Sequence, residues 1–166
     1  ATLLTAQNIP SYIPTNGLVA WWPFNGNADD ESGNGNNGTA HNSPSIAADR
    51  FGNDSSAYNF DWSSITGYGT WQKIELPTIV TSNSYTVNIW MRPEDYCWPN
   101  NNIKSAMLIG GSAACTNTSG GLRFALSGNS GSIGTTIGSI TSDTGVVDLN
   151  VWQMATLAVN NDSSFI

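Results

Sequence analysis

The chain has 166 residues, enough for one domain with its own core, and carries a net charge of -7. This acidic balance argues against nucleic-acid binding, which depends on neutralising phosphates. Charged residues make up only 10% of the chain, and its seventeen glycines and many asparagines favour strands and turns over helices. The sequence contains no run of about eighteen apolar residues that would span a membrane.

Residues 1–16 predict a leader ahead of the folded part of the chain. Residues 1–6 have the pattern of the end of a secretory signal peptide with a cleavage site after Ala6, and a disordered tail is the alternative. Pro10 and Pro14 then favour an extended path. We therefore expect residues 17–166 to form the folded domain of a secreted or cell-surface protein.

Residues 18–24 are apolar and aromatic and predict a buried opening strand. Alternate positions are apolar on both faces, which indicates that both faces are covered, as in a sandwich. Pro23 places the strand at a sheet edge or close to a strand end. Residues 25–56 lack apolar periodicity and predict a long polar segment that is either functional or a connection between sheets.

Six further strands are predicted from alternating or apolar patterns. They are Ala57–Phe60, Gln72–Leu76, Tyr85–Met91, Ala106–Ile109, Leu122–Leu126 and Val151–Val159. Alternation directs Tyr58, Phe60, Ile74 and Leu76 inward. No helical spacing of apolar residues persists over three turns, so the sequence predicts an all-β, antiparallel two-sheet sandwich.

The strand Tyr85–Met91 shows the clearest alternation in the chain. Its odd-numbered residues are predicted to lie on one face, and Thr86, Asn88 and Trp90 on the other. Trp22, Trp90 and Trp152 lie in predicted strands and are expected to be packed or half packed.

Four segments of the first part of the chain carry a family resemblance: Gly17–Ala28, Asp30–Thr39, Asp49–Gly52 and Ala57–Asp61. They resemble the opening of bacterial laminin-G-like domains, which belong to the concanavalin A-like lectin/glucanase superfamily. Tyr85–Arg92 and Trp152–Val159 are similar to two later strands of that family. The resemblance implies a jelly roll of two curved antiparallel sheets. The family's last strands are missing, which implies an incomplete jelly roll from a longer protein.

Asp29, Asp30 and Asn34 are candidate ligands for a structural Ca²⁺. The loop around them is rich in the carboxylate, amide and carbonyl oxygens that Ca²⁺ prefers, although its spacing does not match an EF-hand. The resemblance implies a calcium site near this loop, with Asp30 as the matching position. The alternative is a hydrogen-bonded Asx-turn loop without metal.

Catalysis is not expected. A retaining glycosidase needs two carboxylates about 5 Å apart, which on a strand means acids at alternate positions. The acidic groups of this chain, Asp29-Asp30-Glu31 and Glu94-Asp95, are adjacent and lie in loops. The single histidine, His41, has no serine and aspartate partners in a recognisable nucleophile elbow, so a hydrolase triad is not expected either.

Cys97 and Cys115 are predicted to form a disulfide in a secreted protein, worth roughly 3 kcal/mol in the chain-entropy model. The alternative, a metal or redox pair, normally needs a Cys-x-x-Cys spacing that is absent.

Aromatic residues in turn-rich segments are candidate ligand-binding residues, with packing over the sandwich as the alternative. They are Trp62, Tyr68, Trp71, Tyr96 and Trp98. The sequence therefore predicts a non-catalytic module that binds a glycan or a cell-surface protein. A structural spacer and, less favoured, a laminarinase-type glycoside hydrolase are the alternatives.

Overall fold

The computed structural model describes residues 9–61, 72–77, 79, 84–94, 104–110, 121–127, 130–135, 147–160 and 163–165. These residues contain ten strands and no helix, and every strand pairing is antiparallel. The all-β, antiparallel class is thereby confirmed. The chain forms two compact units, Ala1–Val80 and Thr81–Ile166. The jelly-roll arrangement of two sheets stays a prediction.

Two short antiparallel strand pairs lie in the described part of the first unit. Its strands are β1 (Thr39–His41), β2 (Ser45–Ala47), β3 (Ala57–Asn59) and β4 (Lys73–Glu75), and β1 pairs with β4 while β2 pairs with β3. The sequence pattern predicts β3 and β4 but not β1 and β2, which lie inside the polar segment. Each of these two has only three residues, too few for a pattern, and its strand character comes from a partner further along the chain.

The predicted faces of this unit are partly correct. Ile74 and Leu76 are half-buried while Lys73 and Glu75 are exposed, as alternation predicts. Phe60 was expected to face inward but is exposed. It lies just beyond β3, where the strict alternation of strand side chains no longer applies.

The predicted opening strand over residues 18–24 is wrong: this segment joins no sheet with any described residue. The backbone N–H and C=O of Trp21 bond instead to Asp30 Oδ1 and to the N–H of Glu31, both at 2.9 Å. The side-chain carboxylate of Asp30 and the backbone N–H of Glu31 thus occupy the sites on Trp21 that a neighbouring strand would use. At its end, Phe24 has a left-handed backbone with φ of 58°, which ends the extended path.

The described residues of the second unit contain six strands in two three-stranded sheets. They are β5 (Ser84–Met91), β6 (Lys104–Gly110), β7 (Gly121–Ser127), β8 (Ser130–Thr135), β9 (Gln153–Asn160) and β10 (Ser163–Phe165), with the orders β10-β9-β5 and β6-β7-β8. Strands β5, β6, β7 and β9 confirm the predictions to within a few residues. Strand β8 comes from a Gly- and Ser-rich stretch with too little apolar content to predict it.

The β5–β9 pair has one inner and one outer face. Tyr85, Val87 and Ile89 are half-buried and Met91 is buried, whereas Thr86, Asn88 and Trp90 are exposed. This confirms the predicted assignment of residues to the two faces of the strand. On β9, the buried residues Ala155 and Leu157 alternate with Met154 and Thr156.

Buried apolar side chains mark where each unit has its core. In the first unit Ala28 is buried, and in the second unit Met91, Val147, Ala155 and Leu157 are buried. The part of the chain described by the structure contains no helix suited in length and apolarity to crossing a membrane.

Candidate functional site

The carboxylate of Asp30 joins three separate parts of the chain through backbone hydrogen bonds. Its Oδ1 accepts the N–H of Trp21 and the N–H of Ser32, each at 2.9 Å, and its Oδ2 accepts the N–H of Asn36 at 2.9 Å. Its own N–H donates to Asn37 Oδ1 at 2.9 Å. Charge-assisted bonds of this kind are about twice as strong as neutral ones. Asp30 therefore fixes the loop against the extended segment 18–22.

Amide side chains extend the same connection. Asn34 Nδ2 donates to the carbonyl oxygens of Leu18 and Val19 at 2.9 and 3.0 Å, and Asn36 Nδ2 donates to Val19 O at 2.9 Å. In the reverse direction, Trp22 Nε1 donates to Asn36 O at 2.8 Å. We name residues 18–22 and 30–37, with these bonds, the Asp30 clasp.

Asp30 is the one buried polar or charged residue among those described, with 9% of its surface exposed. Burial raises the pKa of Asp30, but the hydrogen bonds from Trp21, Ser32 and Asn36 together outweigh this and hold the pKa below its ordinary value. A carboxylate stabilised in this way stays ionised at neutral pH. The backbone N–H groups of Trp21, Ser32 and Asn36 stabilise this negative charge by hydrogen bonding.

The predicted calcium ligands occupy unequal positions. Asp29 is exposed and Asp30 is buried, while exposed Asn34 uses its amide nitrogen to bind carbonyls. The carboxylate of Asp30 is met by N–H donors, whereas a Ca²⁺ shell needs six to eight oxygen ligands around the ion. The described residues include no group of three or more His, Cys, Asp or Glu suited to a metal. This arrangement of Asp30 does not fit a calcium shell, and calcium binding by the loop stays a prediction.

Several predicted site residues lie outside the described residues. These are the candidate ligand-binding residues Trp62, Tyr68, Trp71, Tyr96 and Trp98, and the predicted disulfide partners Cys97 and Cys115. Their roles stay predictions.

Trp90 lies on the outer face of the β5–β9 pair and is more exposed than its place in a predicted strand suggests. Trp90 was expected to be packed or half packed but is 43% exposed, and Met154, directly opposite it on β9, is 53% exposed. Trp22 and Trp152 are half-buried, as expected. The alternation of β5 contained the signal for Trp90, because it places this residue on the face opposite Met91.

Next to this apolar pair is a polar one. Asn88 lies opposite Thr156, and Thr156 Oγ1 donates to Asn88 Oδ1 at 2.7 Å. Thr86 and Ala158 form the following cross-strand pair. We name these six residues, Thr86, Asn88, Trp90, Met154, Thr156 and Ala158, the outer face. An exposed indole beside amide and hydroxyl groups combines an apolar surface with directed hydrogen-bonding groups, as ligand sites do.

Other acidic side chains described by the structure serve local bonds. Glu94 pairs with Arg92, and Glu75 lies 2.7 Å from Lys73 Nζ and 3.0 Å from His41 Nε2. Asp49 accepts the N–H groups of Phe51 and Asn53 at 2.8 and 2.9 Å. These are surface bonds that order loops and strand ends.

Comparison of the chain with protein-family models, with curated proteins and with solved structures finds no match. The laminin-G-like resemblance therefore rests on the sequence segments alone.

Proposed function

We propose that this chain is a non-catalytic binding module of a secreted or cell-surface protein, and that it recognises carbohydrate in an adhesive or targeting role. The observation that carries the proposal is the outer face. There an exposed Trp90 lies beside the hydrogen-bonded pair of Asn88 and Thr156. The resemblance to laminin-G-like domains supports the same function.

The chemistry of the outer face suits a sugar. The flat indole of Trp90 offers an apolar surface for the C–H face of a pyranose ring, and hydroxyl and amide groups next to it satisfy the ring hydroxyls. Because Thr156 donates to Asn88 Oδ1, the two N–H groups of Asn88 Nδ2 are available for a ligand. No residue described by the structure accepts a hydrogen bond from this nitrogen.

A glycan array probed with the folded chain tests the proposal. We expect a set of glycans on the array to bind the wild-type protein. Trp90→Ala should not bind them, because this variant lacks the stacking surface. Phe51→Ala is the matched control, since Phe51 is an aromatic residue in the first unit with 72% exposure. Its removal should leave binding unchanged.

Two outcomes would point to the alternatives. A chain that is folded by circular dichroism and binds nothing on the array would favour a structural spacer. Release of reducing sugar from β-glucans, absent in a buffer control, would favour a laminarinase-type hydrolase.

A further inference from the structure

We infer that Asn16 is a site of spontaneous deamidation in the folded protein, and that hydrogen bonds in and beside the Asp30 clasp protect the other asparagines of the same type. Four asparagines of the chain precede a glycine, which has no side chain to hinder attack by its backbone nitrogen. They are Asn16-Gly17, Asn25-Gly26, Asn34-Gly35 and Asn37-Gly38. All four lie in the described range 9–61, so their surroundings can be compared directly.

The chemistry sets the conditions for the comparison. The backbone nitrogen of the glycine attacks Cγ of the asparagine and forms a bond to it. The bond from Cγ to the amide nitrogen breaks, and that nitrogen leaves as ammonia with the proton of the glycine N–H. Solvent water then opens the cyclic imide at either carbonyl carbon, which leaves aspartate or isoaspartate. The reaction therefore needs a side chain that can rotate towards the glycine and a glycine N–H that can lose its proton.

Asn16 and Gly17 meet both conditions. They are exposed, and they form the centre of a turn closed by one backbone hydrogen bond, from the N–H of Leu18 to Thr15 O at 3.2 Å. Among the residues described by the structure, the Asn16 amide and the Gly17 N–H have no hydrogen-bond partner. A Cβ built on Gly17 would meet no atom within 4 Å, so the turn has room for the cyclic imide.

The Asp30 clasp holds the side chain of Asn34. Its Nδ2 donates to the carbonyl oxygens of Leu18 and Val19 at 2.9 and 3.0 Å. Rotation of this amide towards Gly35 would break both bonds at once. Asn34 is exposed and still protected, because the protection comes from hydrogen bonding and not from burial.

Asn37 and Gly38 are held at both reacting groups. Asn37 Oδ1 accepts the N–H of Asp30 at 2.9 Å, and the N–H of Gly38 donates to Ala28 O at 2.7 Å. Ring closure would have to break the first bond to move Cγ and the second to free the attacking nitrogen.

Asn25 and Gly26 are held in the same way outside the clasp. Asn25 Nδ2 donates to Glu31 Oε1 at 2.8 Å, and the N–H of Gly26 donates to Phe24 O at 3.0 Å. Of the four asparagines, Asn16 is thus the one whose reacting groups give up no hydrogen bond.

Peptide mapping of the full chain during incubation in mildly alkaline buffer tests the inference. Chymotryptic digestion and tandem mass spectrometry locate the mass gain of each deamidated asparagine, and the same chain in concentrated urea gives the reference rates without structure. In urea the four sites should react at similar rates. In the folded chain Asn16 should keep its rate, and the other three should slow by about tenfold or more, which corresponds to a barrier raised by about 1.4 kcal/mol.

Two substitutions separate the site from its protection. Asn16→Gln should abolish the reaction at this position, because glutamine must close a larger ring, and leave the other sites unchanged. Asp30→Ala removes the acceptor of three N–H groups and should speed deamidation of Asn34 and Asn37 but not of Asn16. Asp29→Ala, a change at the exposed neighbouring acid, is the matched control and should keep them protected.

The ratio of folded to urea rates in the wild type decides the inference even if Asp30→Ala does not fold. Slowing of Asn16 in the folded chain to the same extent as Asn25, Asn34 and Asn37 would overturn it. Reaction of any of those three at the rate of Asn16, in protein that is folded by circular dichroism, would overturn it as well.

Discussion

The carboxylate of Asp30 accepts the backbone N–H of Trp21 at 2.9 Å, across nine positions of sequence. This bond takes the place of a strand partner, because it satisfies an amide that a neighbouring strand would otherwise bind. A buried acid thus holds an aromatic segment in an extended path without a sheet.

Replacing Asp30 by Asn should destabilise the protein. The variant keeps one oxygen for Trp21 and Ser32, but its new N–H₂ group faces the N–H of Asn36, so a part-buried donor is left unsatisfied. We expect the free energy of unfolding to fall by about 1–3 kcal/mol, measured by urea denaturation.

Asp29→Asn is the matched control for this substitution. Asp29 is exposed, and the hydrogen bond recorded for it uses its backbone N–H. Its unfolding free energy should stay within about 0.5 kcal/mol of wild type. Equal losses in the two variants would contradict a specific role for Asp30.

Stability should decrease in acid because of Asp30. Burial raises its pKa, but hydrogen bonds from Trp21, Ser32 and Asn36 dominate and lower the folded-state pKa below the unfolded value. Its stabilising contribution is therefore complete above the unfolded pKa, about 3.9, and is lost as pH falls through the folded pKa. Thermal unfolding of wild type and Asp30→Asn across this range should show the smaller acid loss in the variant.

Two further carboxylates, those of Glu75 and Asp49, also lose stabilising interactions in acid. The pKa of Glu75 is lowered, first by its hydrogen bond with Lys73 and then by the charge of Lys73. For Asp49, desolvation raises the pKa, but the hydrogen bonds from Asn53 and Phe51 and the charge of Arg50 together outweigh it and lower the pKa. Asp30→Asn should therefore retain part of the acid dependence. An acid profile identical to wild type would show that Asp30 does not contribute.

A methyl group at Gly38 should also destabilise the first unit. Gly38 donates its N–H to Ala28 O at 2.7 Å, and a Cβ on it would lie 2.7 Å from Ile74 Cγ2 and 3.1 Å from both Ala28 Cβ and Ala28 O. The side chain of Ile74 can move, but the backbone oxygen of Ala28 is held by the hydrogen bond. We expect Gly38→Ala to cost about 1–3 kcal/mol by chemical denaturation.

Gly35→Asn is the control for this crowding. Gly35 has φ of 76° and open space around its Cα, and asparagine tolerates that left-handed conformation. The loss of stability in this variant should be smaller than that of Gly38→Ala, because it carries only the cost of the left-handed backbone and no crowding. A loss as large as that of Gly38→Ala would mean that any side chain in this loop is disruptive, whatever its contacts.

Calcium should leave the Asp30 clasp unchanged, because the carboxylate of Asp30 already accepts three N–H groups. We expect equal melting temperatures in millimolar Ca²⁺ and in chelator. A rise with Ca²⁺ that is lost in Asp29→Asn would contradict this expectation. It would support the predicted site of Asp29, Asp30 and Asn34, since a ligand that binds the folded state raises its stability.

The β5 strand shows how far sequence pattern reaches. Alternation alone separated Tyr85, Val87, Ile89 and Met91 from Thr86, Asn88 and Trp90, and the burial of these residues follows that division. Alternation places Trp90 on the face opposite Met91, but it does not show whether another element covers that face. A large aromatic residue is usually packed, and whether another element covers a face depends on contacts distant in sequence.

The extended segment Leu18–Phe24 shows where pattern fails. Its apolar residues have the composition of a core strand, and a strand is defined by the partner that receives its backbone hydrogen bonds. Here the partners are Asp30, Glu31, Asn34 and Asn36, which turn back onto Val19 and Trp21. Local sequence does not encode that choice.

The sequence by itself determined the antiparallel all-β class, most of the longer strands and the two faces of β5, because a period of two residues and the placement of turn residues are local properties. Only the tertiary structure decided that Asp30 is a buried hydrogen-bond acceptor and that Trp90 and Asn88 lie on an exposed face opposite Met154 and Thr156. These two features depend on contacts between residues that are far apart in the sequence. The energy of such a contact depends on which distant groups the fold brings together.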